Sequence, residues 1–409
     1  MKYRLSLGET TNQNLISLTG SKSESNRLLI LQKLFGNFTI ENLSDSKDTQ
    51  VLQQALSINS DRINIGHAGT AMRFLTAYFS IQQGRRVVLE GSPRMHERPI
   101  APLVEALQSL GADICYLDCQ GYPPLEIKGK KLQGGIVEIE SSWSSQYITA
   151  LLLIAPALKK GLSLILKGKI TSKPYIDMSL QLLGRIGVEY TFEENNIHIL
   201  PIVKNKLNTI WVESDWSSAS YLYSFFALSK NQELNIEGLK KDSLQGDSKL
   251  QDIYRYFGVE SSWEDEKLKL KKTESYISHL ELDCTDFPDL AQTITVTAFA
   301  LGISLQLTGL HTLKIKETDR LVALQNELRK LGAIIEIGPA YLSLVSRKKR
   351  IPSEICIATY EDHRMAMAFA PLAIKAPIYI ENPQVVEKSF VNFWNVFQQL
   401  GGLINEKVE

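Results

Sequence analysis

The chain has 409 residues, 44% hydrophobic and 22% charged, and its forty-five Lys and Arg balance forty-five Asp and Glu. That length exceeds one ordinary core and predicts two domains in a globular protein. Zero net charge argues against binding nucleic acid or a membrane surface through bulk charge, although a local basic pocket stays open. Met1–Leu5 begins no apolar core of signal-peptide length. Cys115, Cys119, Cys284 and Cys356 match no zinc spacing and read as free thiols. The expectation is a cytosolic protein.

In chain order, the first notable stretch is "GSKSESNR" (20–27), which runs straight into Leu28-Leu29-Ile30-Leu31. Unpaired N–H groups at a helix start, together with Lys22 and Arg27, would make an anion site. A Ser N-cap followed by solvated charges fits the same residues. The motif type recurs in "GHAGTAMRFLTAYF", "SSWSSQYITALLLI", "SDWSSASYLYSFFAL", "TDFPDLAQTITVTAFAL" and "EDHRMAMAFAPLAI". Each is a polar loop feeding a helix apolar nearly all round, which predicts six helices buried at the centre of something. Residues 290–310 carry no charge. Their Thr, Gln and Gly302 predict a buried helix and a strand rather than a membrane span.

A second series interleaves with the first: "LVEALQSLGADICYL", "LQLLGRIGVEYTF", "LQDIYRYFGVESSW", "LQNELRKLGAIIEI" and "FWNVFQQLGGLINE". Each is an amphipathic helix, then Gly, then a strand. Gly111, Gly187, Gly258, Gly332 and Gly401 are 76, 71, 74 and 69 residues apart, which marks a repeated unit whose helix ends in a left-handed Gly. Alternating runs such as "NTIWVES", "LSLILKG" and "IHILPI" read as strands. Six units of about 70 residues predict an α/β fold of two similar three-unit domains, with sheets outside a helical centre. The expected domains are 20–213, and 1–19 with 214–409, joined by a double crossover near 19–21 and 213–215.

The polar loops carry Lys22, Ser23 and Arg27; Gly69, Thr70 and Arg73; Arg94 and Arg98; Ser144, Ser145 and Gln146; Ser172, Lys173 and Tyr175; Asp289; Lys316, Glu317 and Arg320; His363 and Arg364; and Lys388. A surplus of cations and helix starts in a neutral protein suits substrates with several negative charges. Asp289, Glu317 and Lys388 are the acid–base candidates. Any one of these is also an ordinary surface residue, and "KETDR" is equally an ion-paired helix start.

In family order, "GSKSESNR", "GHAGTAMR", "PRMHERP", "SSQYITALL", "KPYIDM", "KETDRL" and "EDHRMAM" resemble the signature segments of the 5-enolpyruvylshikimate-3-phosphate synthases over essentially the whole chain. The resemblance implies a two-domain inside-out α/β barrel closing around its substrates. It also implies transfer of the enolpyruvyl group of phosphoenolpyruvate to the 5-hydroxyl of shikimate 3-phosphate, with no metal or organic cofactor, in a monomer. It assigns Lys22, Ser23, Arg27, Ser144, Ser145, Gln146, Ser172, Tyr175, Asp289 and Lys316 to shikimate 3-phosphate. It assigns Lys22, Gly69, Arg94, Gln146, Arg320, Arg364 and Lys388 to phosphoenolpyruvate. Asp289, Glu317 and Lys22 become the catalytic set, with Thr70, Arg73 and His363 alongside. His67 and Phe74 depart from the family's usual Asn and Pro beside the phosphoenolpyruvate loop, which bears on sensitivity to the mimic glyphosate, and Thr312 stands where Asn commonly contacts substrate. The related transferase acting on a UDP-linked amino sugar carries a reactive Cys where this chain has Pro93. A non-catalytic phosphometabolite-binding protein would have no need of Asp289, Glu317 and Lys388.

Overall fold

The computed structural model describes residues 1–8, 14–36, 38–203, 207–274, 277–345 and 350–407. Chain contacts divide it into two units, Ser21–Val212, and Met1–Gly20 with Glu213–Glu409.

The Ser21–Val212 unit contains α1 (Lys22–Phe35), α2 (Lys47–Ser57), α3 (Gly69–Ser80), α4 (Pro93–His96), α5 (Ala101–Ser109), α6 (Ser145–Ile154) and α7 (Lys173–Arg185). Helices α1, α3 and α6 touch one another. Their apolar runs, such as Leu28–Leu31 and Tyr147–Ile154, are buried without a break. Burial on all sides explains why these helices have no polar stripe, and each fully buried Leu or Ile contributes ~1.5–3 kcal/mol. The other unit contains α8 (Trp216–Leu228), α9 (Leu250–Arg255), α10 (Ala291–Leu301), α11 (Arg320–Lys330), α12 (His363–Phe369) and α13 (Phe393–Gln399). Here α8, α10 and α12 are the mutually packed, buried helices.

Sheets cover these centres. Gly135–Glu140 runs parallel to Leu162–Lys167, the connection being α6, and the hairpin Tyr190–Glu193/Asn196–Ile199 pairs antiparallel beyond it. The alternating burial of Leu162, Leu164 and Leu166 turns one face inward. The same order of strands and helices recurs in the sheets around α3, α10 and α12. The turn out of the second helix is made each time by the predicted glycine, with φ of 94° at Gly111, 97° at Gly187, 74° at Gly258, 86° at Gly332 and 96° at Gly401. In that region an L side chain is strained.

The first repeat departs from the pattern. Helix α2 ends in an extended Ile58 rather than a left-handed Gly, and the chain runs directly to Arg62–Asn64, a strand of the next sheet. With no hairpin to form, no reversal is needed there. Among the described residues its sheet has two strands, Thr39–Glu41 parallel to Thr209–Trp211. Leu15–Ser17 pairs parallel with Glu233–Glu237, both strands lying in the unit of Met1–Gly20 with Glu213–Glu409. The strands leading into α1 and α8 are therefore exchanged. Among the described residues, no helix is long and apolar enough to cross a membrane.

Candidate active site

In the unit that carries α8–α13, the polar helix starts meet. Asp215 caps α8 by accepting from the Ser218 N–H, and Asp362 caps α12 by accepting from Arg364 N–H. Asp319 caps α11 through the N–H groups of Leu321 and Val322. The acids therefore fix the helix ends as well as carry charge. From α12, Arg364 Nη2 reaches Asp289 Oδ2 at 3.0 Å, just before α10, and Ser217 Oγ at 3.3 Å, in the first turn of α8. Arg320 is 2% exposed and has three carboxylate partners: Asp362 Oδ2 at 2.7 Å, Asp289 Oδ1 at 2.8 Å and Glu317 Oε2 at 2.9 Å. Lys388 Nζ lies 2.9 Å from Glu317 Oε1, and Lys316 Nζ 3.5 Å from Asp289 Oδ1.

Asp289, Lys316, Glu317, Arg320, Arg364 and Lys388 thus form one cluster, with His363 buried next to Asp362. Burial pushes the Asp289 carboxyl up, but Arg364, Lys316 and Arg320 together hold it well below the usual carboxylate range. It is a committed anion. Burial lowers the Arg320 pKa, yet Asp362, Glu317 and Asp289 outweigh it and raise it overall. Thr312 is buried just ahead of this segment, and its hydroxyl has no hydrogen-bond partner among the described residues.

In the Ser21–Val212 unit the cations divide into buried and accessible groups. Arg27 is buried; it donates to Ser179 Oγ at 2.8 Å, Ser23 O at 2.7 Å, Thr149 Oγ1 at 3.3 Å and Tyr175 O at 3.1 Å. It also lies over the Phe74 and Tyr175 rings. Burial pushes its pKa down to about 10, opposed by Tyr175 and Glu24, so it keeps its charge at neutral pH and ties α1 to α6 and α7. Arg73 is likewise committed, to Gly69 O, Met95 Sδ and Pro99 O. Lys22 pairs with Asp48 at 3.2 Å, and half-exposed Arg94 with Glu97 at 2.7 Å.

Ser21 caps α1 through the Glu24 N–H and Ser144 caps α6 through the Gln146 N–H at 3.2 Å. At "GSKSESNR" the N-cap reading holds, but its charges are paired or buried rather than solvated. Gln146 Nε2 donates to Thr70 Oγ1 at 3.3 Å, which brings the starts of α6 and α3 together. Gly69 opens α3 with no side-chain cap at Ala68, and a Cβ there would meet Arg98 Nη1 at 2.5 Å. His67 Nδ1 lies 3.0 Å from Ser92 Oγ. Ser172, at φ 55°, starts α7, where Lys173 pairs with Asp177 at 2.8 Å.

Sequence reasoning missed the partners: Asp48, Glu97, Ser217, Asp247 and Asp362. Asp362 lies inside the quoted "EDHRMAM", so a signal was present; "LQGD" around Asp247 offers none. Among the described residues no group of three or more His, Cys, Asp and Glu is arranged to hold a metal ion.

The profile of EPSP synthase (3-phosphoshikimate 1-carboxyvinyltransferase) matches residues 52–397. A 3-phosphoshikimate 1-carboxyvinyltransferase of Bacteroides fragilis (strain YCH46) is 44% identical over 406 residues, covering 98% of each chain. One from Shewanella piezotolerans is 38% identical, covering 94% of this chain and 96% of its own. Among solved structures, the EPSP synthase from Acinetobacter baumannii superposes with a TM-score of 0.79 at 19% identity, covering all of both chains. At that identity the structural match speaks for the fold.

Proposed function

Because the chain belongs to the EPSP synthase family, we propose that it transfers the enolpyruvyl group of phosphoenolpyruvate to the 5-hydroxyl of shikimate 3-phosphate, releasing phosphate. The observation that carries this reading at the site is the cluster of Asp289 and Glu317 amid Lys316, Arg320, Arg364 and Lys388. A protein that only bound phosphometabolites would need the cations but not the two acids.

In this reading Asp289 takes the proton of the 5-hydroxyl as its oxygen bonds to C2 of phosphoenolpyruvate, and Glu317 delivers a proton to the methylene carbon. Elimination reverses the second transfer: Glu317 removes a methyl proton as the C2–O bond to phosphate breaks, and the hydroxyl proton held on Asp289 leaves with the phosphate, which restores both acids. Arg320, Arg364 and Lys388, with Lys22, Gly69, Arg94 and Gln146, hold phosphoenolpyruvate; Lys22, Ser23, Arg27, Ser144, Ser145, Gln146, Ser172, Tyr175 and Lys316 hold shikimate 3-phosphate. Positioning and fixed charge supply the rest of the rate. Asp289 is ionised in the free protein because cations surround it. An anionic substrate that draws on Arg364 and Arg320 raises its pKa and makes it a better base. The two contact units are read as the two domains of that family, and the protein as a cytosolic monomer.

The test is phosphate release with each substrate alone and with both. Release only when both are present, with shikimate 3-phosphate consumed in equal amount, is the expected result. Release with a UDP-linked amino sugar in its place, or none at all, overturns the reading.

A further inference from the structure

Arg364 stands between two acids. Besides its bond to Asp289 Oδ2, its Nη1 donates to the Asp289 carbonyl at 3.2 Å, and its Nη2 to Ser217 Oγ at 3.3 Å. Ser217 Oγ in turn donates to Asp247 Oδ2. Asp247 sits on the turn Gly246–Lys249, is 2% exposed, and its Oδ1 is buried with no hydrogen-bond partner among the described residues. The result is a relay, Asp289–Arg364–Ser217–Asp247, that ends on an acid too poorly solvated by donors to be a comfortable anion.

The charged and titratable groups facing Asp247 come from several elements. Asp215 lies at the start of α8, Asp289 before α10 and Arg364 on α12. Cys284 follows the strand His279–Asp283; burial pushes its thiol up to about 12, with Asp283 and Asp247 adding, so it stays neutral. Lys249, on Asp247's own turn, pairs outward with Asp252 at 3.4 Å. Burial pushes the Asp247 carboxyl up to about 7; Asp289 adds to this and Arg364 opposes it.

We propose that Asp247 is a positioning residue that, acting through Ser217, takes up a proton when an anion engages Arg364, and so makes the hold on phosphoenolpyruvate depend on pH. The inference rests on the reading that Arg364 grips that substrate. An anion at Arg364 adds negative charge near Asp247 and favours its protonated form. By linkage, protonated Asp247 favours the anion to the same degree. Well below neutrality the acid is mostly protonated and Arg364 offers nearly its full charge. Above it, ionised Asp247 claims part of that charge and binding weakens. Ser217 Oγ can accept from Arg364 in both states, because the hydrogen between Ser217 and Asp247 can sit on either oxygen.

The test is the KM for phosphoenolpyruvate at saturating shikimate 3-phosphate from pH 5.5 to 8.5, for the unmodified protein, Asp247→Asn and Asp247→Ser. The substrate's own ionisation is common to all three and cancels in the ratios. A shift of one pKa unit on binding gives about a tenfold change in that ratio across the range. The neutral variants should therefore match the unmodified protein at pH 5.5 and bind ~10-fold more tightly at pH 8.5, whereas a merely structural role would shift all pH values alike. Parallel profiles in whichever variant folds overturn the inference. Arg364→Gln separates the premise from it: an unchanged KM in that variant removes Arg364 from substrate binding and the inference with it. A raised KM combined with parallel Asp247 profiles removes the inference alone.

Discussion

Asp289 and Glu317 sit among Lys316, Arg320, Arg364 and Lys388, and that setting fixes what each substitution should do. Asp289→Asn keeps the shape of the side chain and removes the anion that opposes Arg364, Arg320 and Lys316. Substrate anions should bind no more weakly, while kcat falls by ~10²–10⁴, as expected when a positioned acid or base is lost. Glu317→Gln should behave alike. Calorimetry with shikimate 3-phosphate and turnover measured side by side check both, and near-normal turnover in either variant takes that residue out of the mechanism. Asp362 is different in kind. It is fully buried against Arg320 Nε, so Asp362→Asn leaves a buried guanidinium short of one charge. Breaking a buried pair costs about 3–5 kcal/mol, and thermal unfolding should show a loss of that size. The first two acids were legible because their motifs place them among cations. Asp362 and Asp247 were not, because an acid ahead of a helix reads as a cap, and its other contacts join residues far apart in the chain.

The repeated elements were legible because helix burial and turn chemistry leave local marks. Gly332 closes α11 at φ 86°, and a Cβ there would meet nothing within 4 Å. Gly332→Ala should therefore cost the backbone term alone, roughly 1–2 kcal/mol, and Gly332→Asn less, since Asn tolerates that conformation better. Gly129 makes the contrast: a Cβ there would run into the Gln82 carbonyl oxygen, so Gly129→Ala should be the more damaging change. Denaturant unfolding of the three variants checks the order. If Gly332→Ala were the worst of them, the turn would be carrying something other than backbone conformation. The same logic explains what was not legible. Helix α2 carries no terminal glycine to mark its end because no hairpin follows it. The strand partners of Leu15–Ser17 and Thr209–Trp211 were not legible either, because three-residue strands are too short for a pattern of alternation to name what they pair with.

For the whole molecule, the exchange of the strands leading into α1 and α8 decides which pieces of chain can fold. Residues 21–212 contain both strands of their two-stranded sheet and all strands of the sheets around α3 and α6. The other unit is assembled from two separated segments. Lys2–Leu7 lies between Ile378–Glu381 and Gly402–Lys407, antiparallel to both, and Leu15–Ser17 completes the sheet of Glu233–Glu237. Without residues 1–20, Gly402–Lys407 loses its only strand partner among the described residues, and the buried Leu5, Ile16 and Leu18 are missing from the core. Each of those side chains contributes ~1.5–3 kcal/mol, against a total stability of about 5–15 kcal/mol for a domain. Residues 213–409 alone should accordingly show no cooperative transition, whereas residues 21–212 should unfold in one. The register supplies the remedy: Lys2 stands opposite Lys407, so a short Gly-containing turn can join the end of the chain to its beginning as a hairpin. The rearranged chain 213–409–turn–1–20 should recover cooperative thermal unfolding and dispersed amide resonances. If 213–409 unfolds as cooperatively as that rearranged chain, the N-terminal strands are an ornament on a core already complete.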